Sequence, residues 1–394
     1  MKKLLKALKV ILIVVVSLVV LVYGGVFLGY KVFFPLKVSD VPPIEPVTDG
    51  TFLFGVQAHP IPPPATMEEF VPVFAEQLRL YNKVAPSLWP NNAIVNQSAI
   101  LEGIESGRFW YVSPDGQAKP LSKNDALSYG FQRQAYNGGF DFYEGGLYLA
   151  VIEEDLRNYL VWGRGIYLGT YDSILFVSHE GFHKREQSKW KAVGKNPNSE
   201  RNERLNDLPA RAKRNLLQIQ LLKAVSEPGD TQLILEAVST YEDWKKQFPN
   251  EFALTKVTDI VEGTAYYYEI VSGLYIGYPD QVNSGNIDKA LALIATRPDV
   301  FIAPGLTMEG YTVGGFACML LDRLEGDWKE RLMASGVTPI EMLSQHFKGE
   351  TLPPPRQITQ ADIDTLAKDM KTTKPWEVNY GMPMKFQFLY GVLF

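Results

Sequence analysis

The sequence predicts an α+β fold in which helix predominates. Between about Ala93 and Gly169 short β-type runs alternate with turn signals, and from Thr170 onward apolar residues recur at helical spacing. With 46% hydrophobic and 21% charged residues, the chain has the balance needed to bury a substantial core.

At the N-terminus, Lys2, Lys3, Lys6 and Lys9 precede Val10 to Tyr30, 21 residues without a charge. As a helix this run spans roughly 30 Å, the thickness of a bilayer core. The positive-inside rule keeps the lysines in the cytoplasm. Residues 1–9 are therefore expected as a cytoplasmic tail, 10–30 as a single-pass transmembrane signal anchor in the cell membrane, and the rest as extracytoplasmic. The run is longer than the apolar core of a signal peptide and lacks a small-x-small cleavage pattern, which favours an uncleaved anchor.

Residues 31–66 read as a stiff stalk, with Pro42, Pro43, Pro46, Pro60 and Pro62 to Pro64. One domain, 67–394, follows, with a mixed α/β part over 67–170 and a helical part over 171–394. Thr66 and Glu69 form a capping signal for a helix from Met67 to about Val84, which must tolerate Pro72. Phe109 to Val112 reads as a strand ending in the turn Ser113-Pro-Asp-Gly116, and Asn137-Gly-Gly139 is a second turn. Leu147 to Ile152 and Gly165 to Leu168 are further strand candidates. Helices are expected over about 172–190, 209–226, 230–247, 253–275, 286–296 and 310–335. Thr338 with Glu341 and Thr359 with Asp362 start two more.

Composition also excludes. A net charge of −5 argues against a nucleic-acid partner. The single cysteine, Cys318, rules out an internal disulfide and reads as a buried core thiol in Gly315-Phe-Ala-Cys-Met-Leu-Leu321.

The chemistry is carried by His179-Glu180-Gly-Phe-His183. Histidines four apart on a helix lie on one face and can share a Zn²⁺, while the intervening glutamate faces a metal-activated water. A catalytic zinc needs a third protein ligand and one open position. No third histidine follows within a turn or two, so a carboxylate is expected, and Glu262 in Thr258-Asp-Ile-Val-Glu-Gly-Thr-Ala265 is the best candidate. Asp259, Tyr266 and Glu269 fall on the same helical face. A carboxylate among them could orient a ligand histidine, and Tyr266 could donate to a developing oxyanion. Glu186, three residues after His183, is a rival ligand, though three ligands on one straight helix strain the geometry, so a supporting role or plain surface fits it better.

These two segments resemble the gluzincin group of zinc metallopeptidases, in which a glutamate within E-G-x-A on a later helix completes the site. The resemblance implies a zincin-like catalytic domain holding one Zn²⁺ per chain, with His179, His183 and Glu262 as ligands and Glu180 as general base. It implies peptide or protein substrates. A zinc hydrolase of another amide or ester in the cell envelope, and a non-catalytic membrane-tethered binding protein, are the alternatives.

Weaker signals have plainer readings. His346 and His59 read as surface histidines. The basic stretch 184–214 could receive an anionic substrate, but interleaved acids mark it as a solvated connection. Gly163 to Gly169 lacks the pattern of a phosphate loop and reads as a turn and an edge strand able to pair with a peptide.

Overall fold

The computed structural model describes residues 64–90, 96–133, 139–153, 156, 168–190, 207–282, 287–295, 301 and 309–372. Up to Met370 they belong to one compact unit spanning 45–370. The tail, the anchor, the stalk before Pro64, His59 and the expected strand at 165–168 (except Leu168) lie outside the described residues. Among the described residues no helix is long and apolar enough to cross a membrane.

Most described residues are helical, and five strands form one mixed sheet, so the fold is α+β with helix predominant. Helix α1, Met67–Leu88, is capped by the Thr66 side chain, which accepts from the Glu69 amide, and it runs past the expected end at Val84 despite Pro72 and Pro86. Its buried face, Phe70, Phe74, Leu78, Tyr81 and Ala85, explains why it continues: packing outweighs the two missing N–H donors. The strands are β1, Ser98–Gly103; β2, Arg108–Val112; β3, Ala118–Leu121; β4, Gly139–Tyr143; and β5, Gly146–Val151. Their order is β3-β2-β1-β5-β4, with β1 and β5 parallel and all other pairs antiparallel. The short helix α2, Lys123–Leu127, follows β3 under a Ser122 cap.

The helical part contains α3, Asp172–Arg185; α4, Leu208–Ser226; α5, Thr231–Gln247; α6, Pro249–Gly277; and α7, Ile287–Ile294. It continues with α8, Glu309–Leu324; α9, Trp328–Ser335; α10, Pro339–His346; and α11, Gln360–Thr372. The single helix expected over 310–335 is in fact α8 and α9, separated at Glu325-Gly326-Asp327, where glycine and aspartate are poor helix formers. Helix α6 is the spine. From Thr258 to Leu274 nearly every residue is buried, so the helix is enclosed on all sides rather than amphipathic.

Two features position the site. First, α8 crosses α6 at backbone contact. A Cβ at Gly263 would lie 2.4 Å from the Gly314 Cα, and one at Gly314 would lie 2.0 Å from the Asp259 carbonyl oxygen. Only glycine permits that approach. Second, Trp89, just beyond α1, joins early and late chain. Its ring meets Phe182 of α3 at 4.9 Å, Trp190 at 5.6 Å, Tyr267 of α6 at 6.3 Å and Trp328 of α9 at 5.5 Å. Its indole N–H points to Met333 Sδ at 3.3 Å, and Lys329 Nζ donates to the Leu88 carbonyl at 3.1 Å.

The basic stretch needs correction where it is described. Arg211, Lys213 and Arg214 are 1%, 2% and 0% exposed and form internal ion pairs instead of a solvated surface. Their partners Glu251, Asp259, Glu309 and Asp243 lie on other helices, so local charge pattern could not reveal them.

Candidate metal centre

Helix α3 carries the two histidines. Asp172 in its first turn and His183, Lys184 and Arg185 in its last suit the helix dipole. The Gln77 side chain of α1 accepts from the Tyr171 amide at 2.9 Å, serving an N-terminus that has no side-chain cap of its own. At the other side Phe140 of β4 meets Phe176 edge to face at 4.7 Å, and Arg185 donates to the Gly146 and Tyr143 carbonyls at 3.1 and 3.3 Å. The helix is thus held between α1 and the sheet, with His179 and His183 turned toward α6.

Glu262 meets them there. His179 Nε2 lies 3.0 Å from His183 Nε2, and Glu262 Oε2 lies 3.4 Å from the first and 3.2 Å from the second. These separations can be tested against a metal. Donors at about 2.05 Å from a tetrahedral zinc stand about 3.3 Å apart, so the triangle fits one ion without rearrangement. The same three residues are the group of potential ligand atoms that converge within 4.8 Å among the described residues.

The other ring nitrogens are occupied in a way that frees Nε2. His179 Nδ1 lies 3.0 Å from Glu269 Oε2, and His183 Nδ1 lies 2.6 Å from Gln187 Oε1. With Nδ1–H donating in each ring, both Nε2 lone pairs face the shared point. Gln187 also anchors itself to α6, donating to the Val261 carbonyl at 2.6 Å and to Thr264 Oγ1 at 2.8 Å.

Electrostatics favour a cation. Burial alone would lower the pKa of His179, but hydrogen bonds to Glu262 and Glu269 outweigh it and lift the pKa to about 9. Burial acts to raise Glu262, yet the hydrogen bonds from His179 and His183 hold it well below the usual carboxylate range. Glu180 is shifted upward, chiefly by burial, against the pull of the two imidazoles.

The supporting residues differ from those expected. Glu269 sits against a ligand histidine, whereas Asp259 does not: its carboxylate takes two hydrogen bonds from Arg214, at 2.6 and 2.9 Å. The Tyr266 hydroxyl donates to the Phe301 carbonyl at 3.2 Å, and its ring is buried between Tyr311 and Phe316. The tyrosine at the centre is Tyr311 of α8, which stacks on His179 with centroids 5.5 Å apart and 11° between planes, and whose phenol lies close enough to Glu262 to feel its charge. Burial and that neighbouring carboxylate push the Tyr311 phenol well above its ordinary pKa. Glu186 is buried and outside the ligand group. Four residues separate Gln187 from His183, a spacing that could have found it, while nothing in the local sequence marks Tyr311. His346 pairs with Glu325 at 2.7 Å on α10 and takes no part in the ligand group. Lys184, Arg185 and Lys189 border an open groove of about 610 Å³ beside Tyr143, which contains none of the three ligand residues.

Comparison with protein-family models, with curated proteins and with solved structures finds no match.

Proposed function

We propose that the protein is a zinc-dependent hydrolase acting on peptides or proteins, built on the gluzincin plan. The observation that carries this reading is the triangle of Nε2, Nε2 and Oε2 atoms at 3.0, 3.2 and 3.4 Å, the spacing a tetrahedral zinc requires. His179, His183 and Glu262 hold one ion per chain, with Glu269 and Gln187 fixing the two rings. A Zn²⁺ ion bound there supplies Lewis acidity toward a water and a substrate carbonyl. Glu180, whose partly buried carboxylate has a raised proton affinity, takes the water's proton and returns it to the leaving nitrogen. Tyr311, kept protonated, supplies a donor beside Glu262 for the developing oxyanion.

Peptide is favoured over another amide or ester by the sheet. Strand β4 is an edge with no outer partner among the described residues, and it packs on α3 through Phe140 and Phe176. An extended chain can add there by main-chain hydrogen bonds. The extracytoplasmic, membrane-anchored setting rests on the lysines and the uncharged run of residues 1–30.

The test is elemental analysis joined to a peptide-library assay. Wild-type protein is expected to hold about one equivalent of zinc and to cleave. His183→Ala should lose the metal, and Glu180→Gln should keep it while losing turnover. A wild-type protein that takes up no zinc refutes the reading, and cleavage by Glu180→Gln removes that residue from the mechanism.

A further inference from the structure

The seam between α6 and α8 poses a physical problem. Helices normally lock in register because ridges of side chains fill grooves on the partner. Here the contact runs through Gly263, Gly310 and Gly314, where a Cβ would strike Gly314, Thr258 and Asp259 respectively. A smooth glycine seam allows close approach but offers little resistance to sliding, and a slip of one residue moves a helix by about 1.5 Å. The centre tolerates no such slip, because Glu262 rides on α6 while Tyr311, which stacks on His179 with its phenol near Glu262, rides on α8.

Beside the seam lies a buried charge network. Arg214 of α4 is 0% exposed and sits over the Trp244 ring at 4.9 Å. It grips Asp259 of α6 through both carboxylate oxygens, and its Nε donates to Glu309 of α8 at 3.0 Å. Arg211, one turn earlier on α4, bonds to Glu251 of α6 and to Glu309 again. Thr312 of α8 bonds to Gln218 of α4. Asp259 stands one turn before Glu262, and Glu309 two residues before Tyr311. Buried ion pairs add little net stability compared with apolar packing, and their best-attested use is to fix register.

We infer that Arg214 is a positioning residue for the metal centre: its guanidinium pins α6 to α8 across the glycine seam, so that Tyr311 reaches Glu262 and His179. This rests on the zinc reading for its functional meaning. The arginine fork matters as much as the charge, since a lysine cannot hold Asp259 through two parallel bonds and Glu309 through a third.

The test compares Arg214→Lys and the milder Asp259→Asn with Arg323→Lys, a control whose arginine bonds to Asp288 and to the Ala224 and Val225 carbonyls from the far end of α8. Zinc affinity is measured by competition with a chromophoric chelator, at a temperature where all variants share the wild-type circular dichroism. Arg214→Lys and Asp259→Asn are expected to bind zinc about tenfold more weakly, and the control as wild type. Tyr311→Phe should weaken binding too, and Arg214→Lys with Tyr311→Phe should be no weaker than the weaker single variant, because both act through the placement of the Tyr311 phenol beside Glu262. Zinc-free protein gives a separate arm: amide exchange over 260–266 and 310–316 should quicken in Arg214→Lys and not in the control. Wild-type affinity with wild-type exchange in Arg214→Lys overturns the inference, and so do losses that multiply in the double variant. A wild-type protein that binds no zinc refutes the metal centre instead, and the exchange arm still decides whether Arg214 sets the register.

Discussion

Gly314→Ala places one methyl group where the structure has least room. The new Cβ would stand 2.0 Å from the Asp259 carbonyl oxygen and 2.7 Å from the Gly263 Cα. Ordinary carbon–oxygen contact is about 3.3 Å, so α6 and α8 must part by about 1.3 Å at the crossing. Neither contact is the end of a flexible side chain; both are backbone within buried helices, which cannot step aside. Overpacking of this kind costs about 1–3 kcal/mol, enough to lower the melting temperature by several degrees. The same displacement carries Tyr311, one turn earlier on α8, away from Glu262 and loosens its stack on the His179 ring. Zinc affinity should therefore fall together with stability. Gly326→Ala is the control, since a Cβ there meets nothing within 4 Å and its effect should stay within about 0.5 kcal/mol. Thermal unfolding and chelator competition on both variants decide the matter. A Gly314→Ala protein that melts with wild type and binds zinc as tightly would refute the claim that backbone contact at this crossing holds the centre together.

Tyr311→Phe is expected to lower kcat while leaving the melting temperature almost unchanged, whereas Tyr266→Phe should cost about 1 kcal/mol of stability with little change in kcat; steady-state kinetics beside melting curves separate the two. Glu269→Gln should weaken zinc binding about 10- to 100-fold, since the amide orients the His179 ring less firmly than the carboxylate 3.0 Å away. In zinc-free protein the folded-state pKa of His179, about 9, lies above its ordinary value, so its stabilising charge is fully present at low pH and is lost as pH rises through about 9. Zinc must displace that proton, so chelator competition across pH should show affinity rising with pH until about 9.

What could be read from residues alone follows the range of each interaction. His179, Glu180 and His183 declare themselves because their geometry is set by helical spacing within one turn. Glu262 and Glu269 were findable because seven residues on an enclosed helix return to the same face, and one face held every candidate. That face was too generous: Asp259 and Tyr266 share it but meet Arg214 and the Phe301 carbonyl, partners contributed by other parts of the chain. Tyr311 depends on how α8 crosses α6, which periodicity does not encode. Arg211 and Arg214 looked like surface charge for the same reason. Strand β1 carries no local mark, because Ser98-Ala-Ile-Leu-Glu-Gly103 is buried along its whole length and so lacks the alternation of a half-exposed strand.

The aromatic junction at Trp89 ties the timing of assembly to the far end of the chain. Phe182, inside the histidine pair, leans on an indole that itself leans on Trp328 and reaches Met333. The contacts that back Phe182 are thus completed only by residues about 150 positions beyond the second histidine, well after Glu262, the last of the three candidate ligands. A stop codon or a protease cut between α8 and α9 would remove none of the three candidate ligands, yet it would take away the Trp328 and Met333 contacts of the Trp89 ring that backs Phe182.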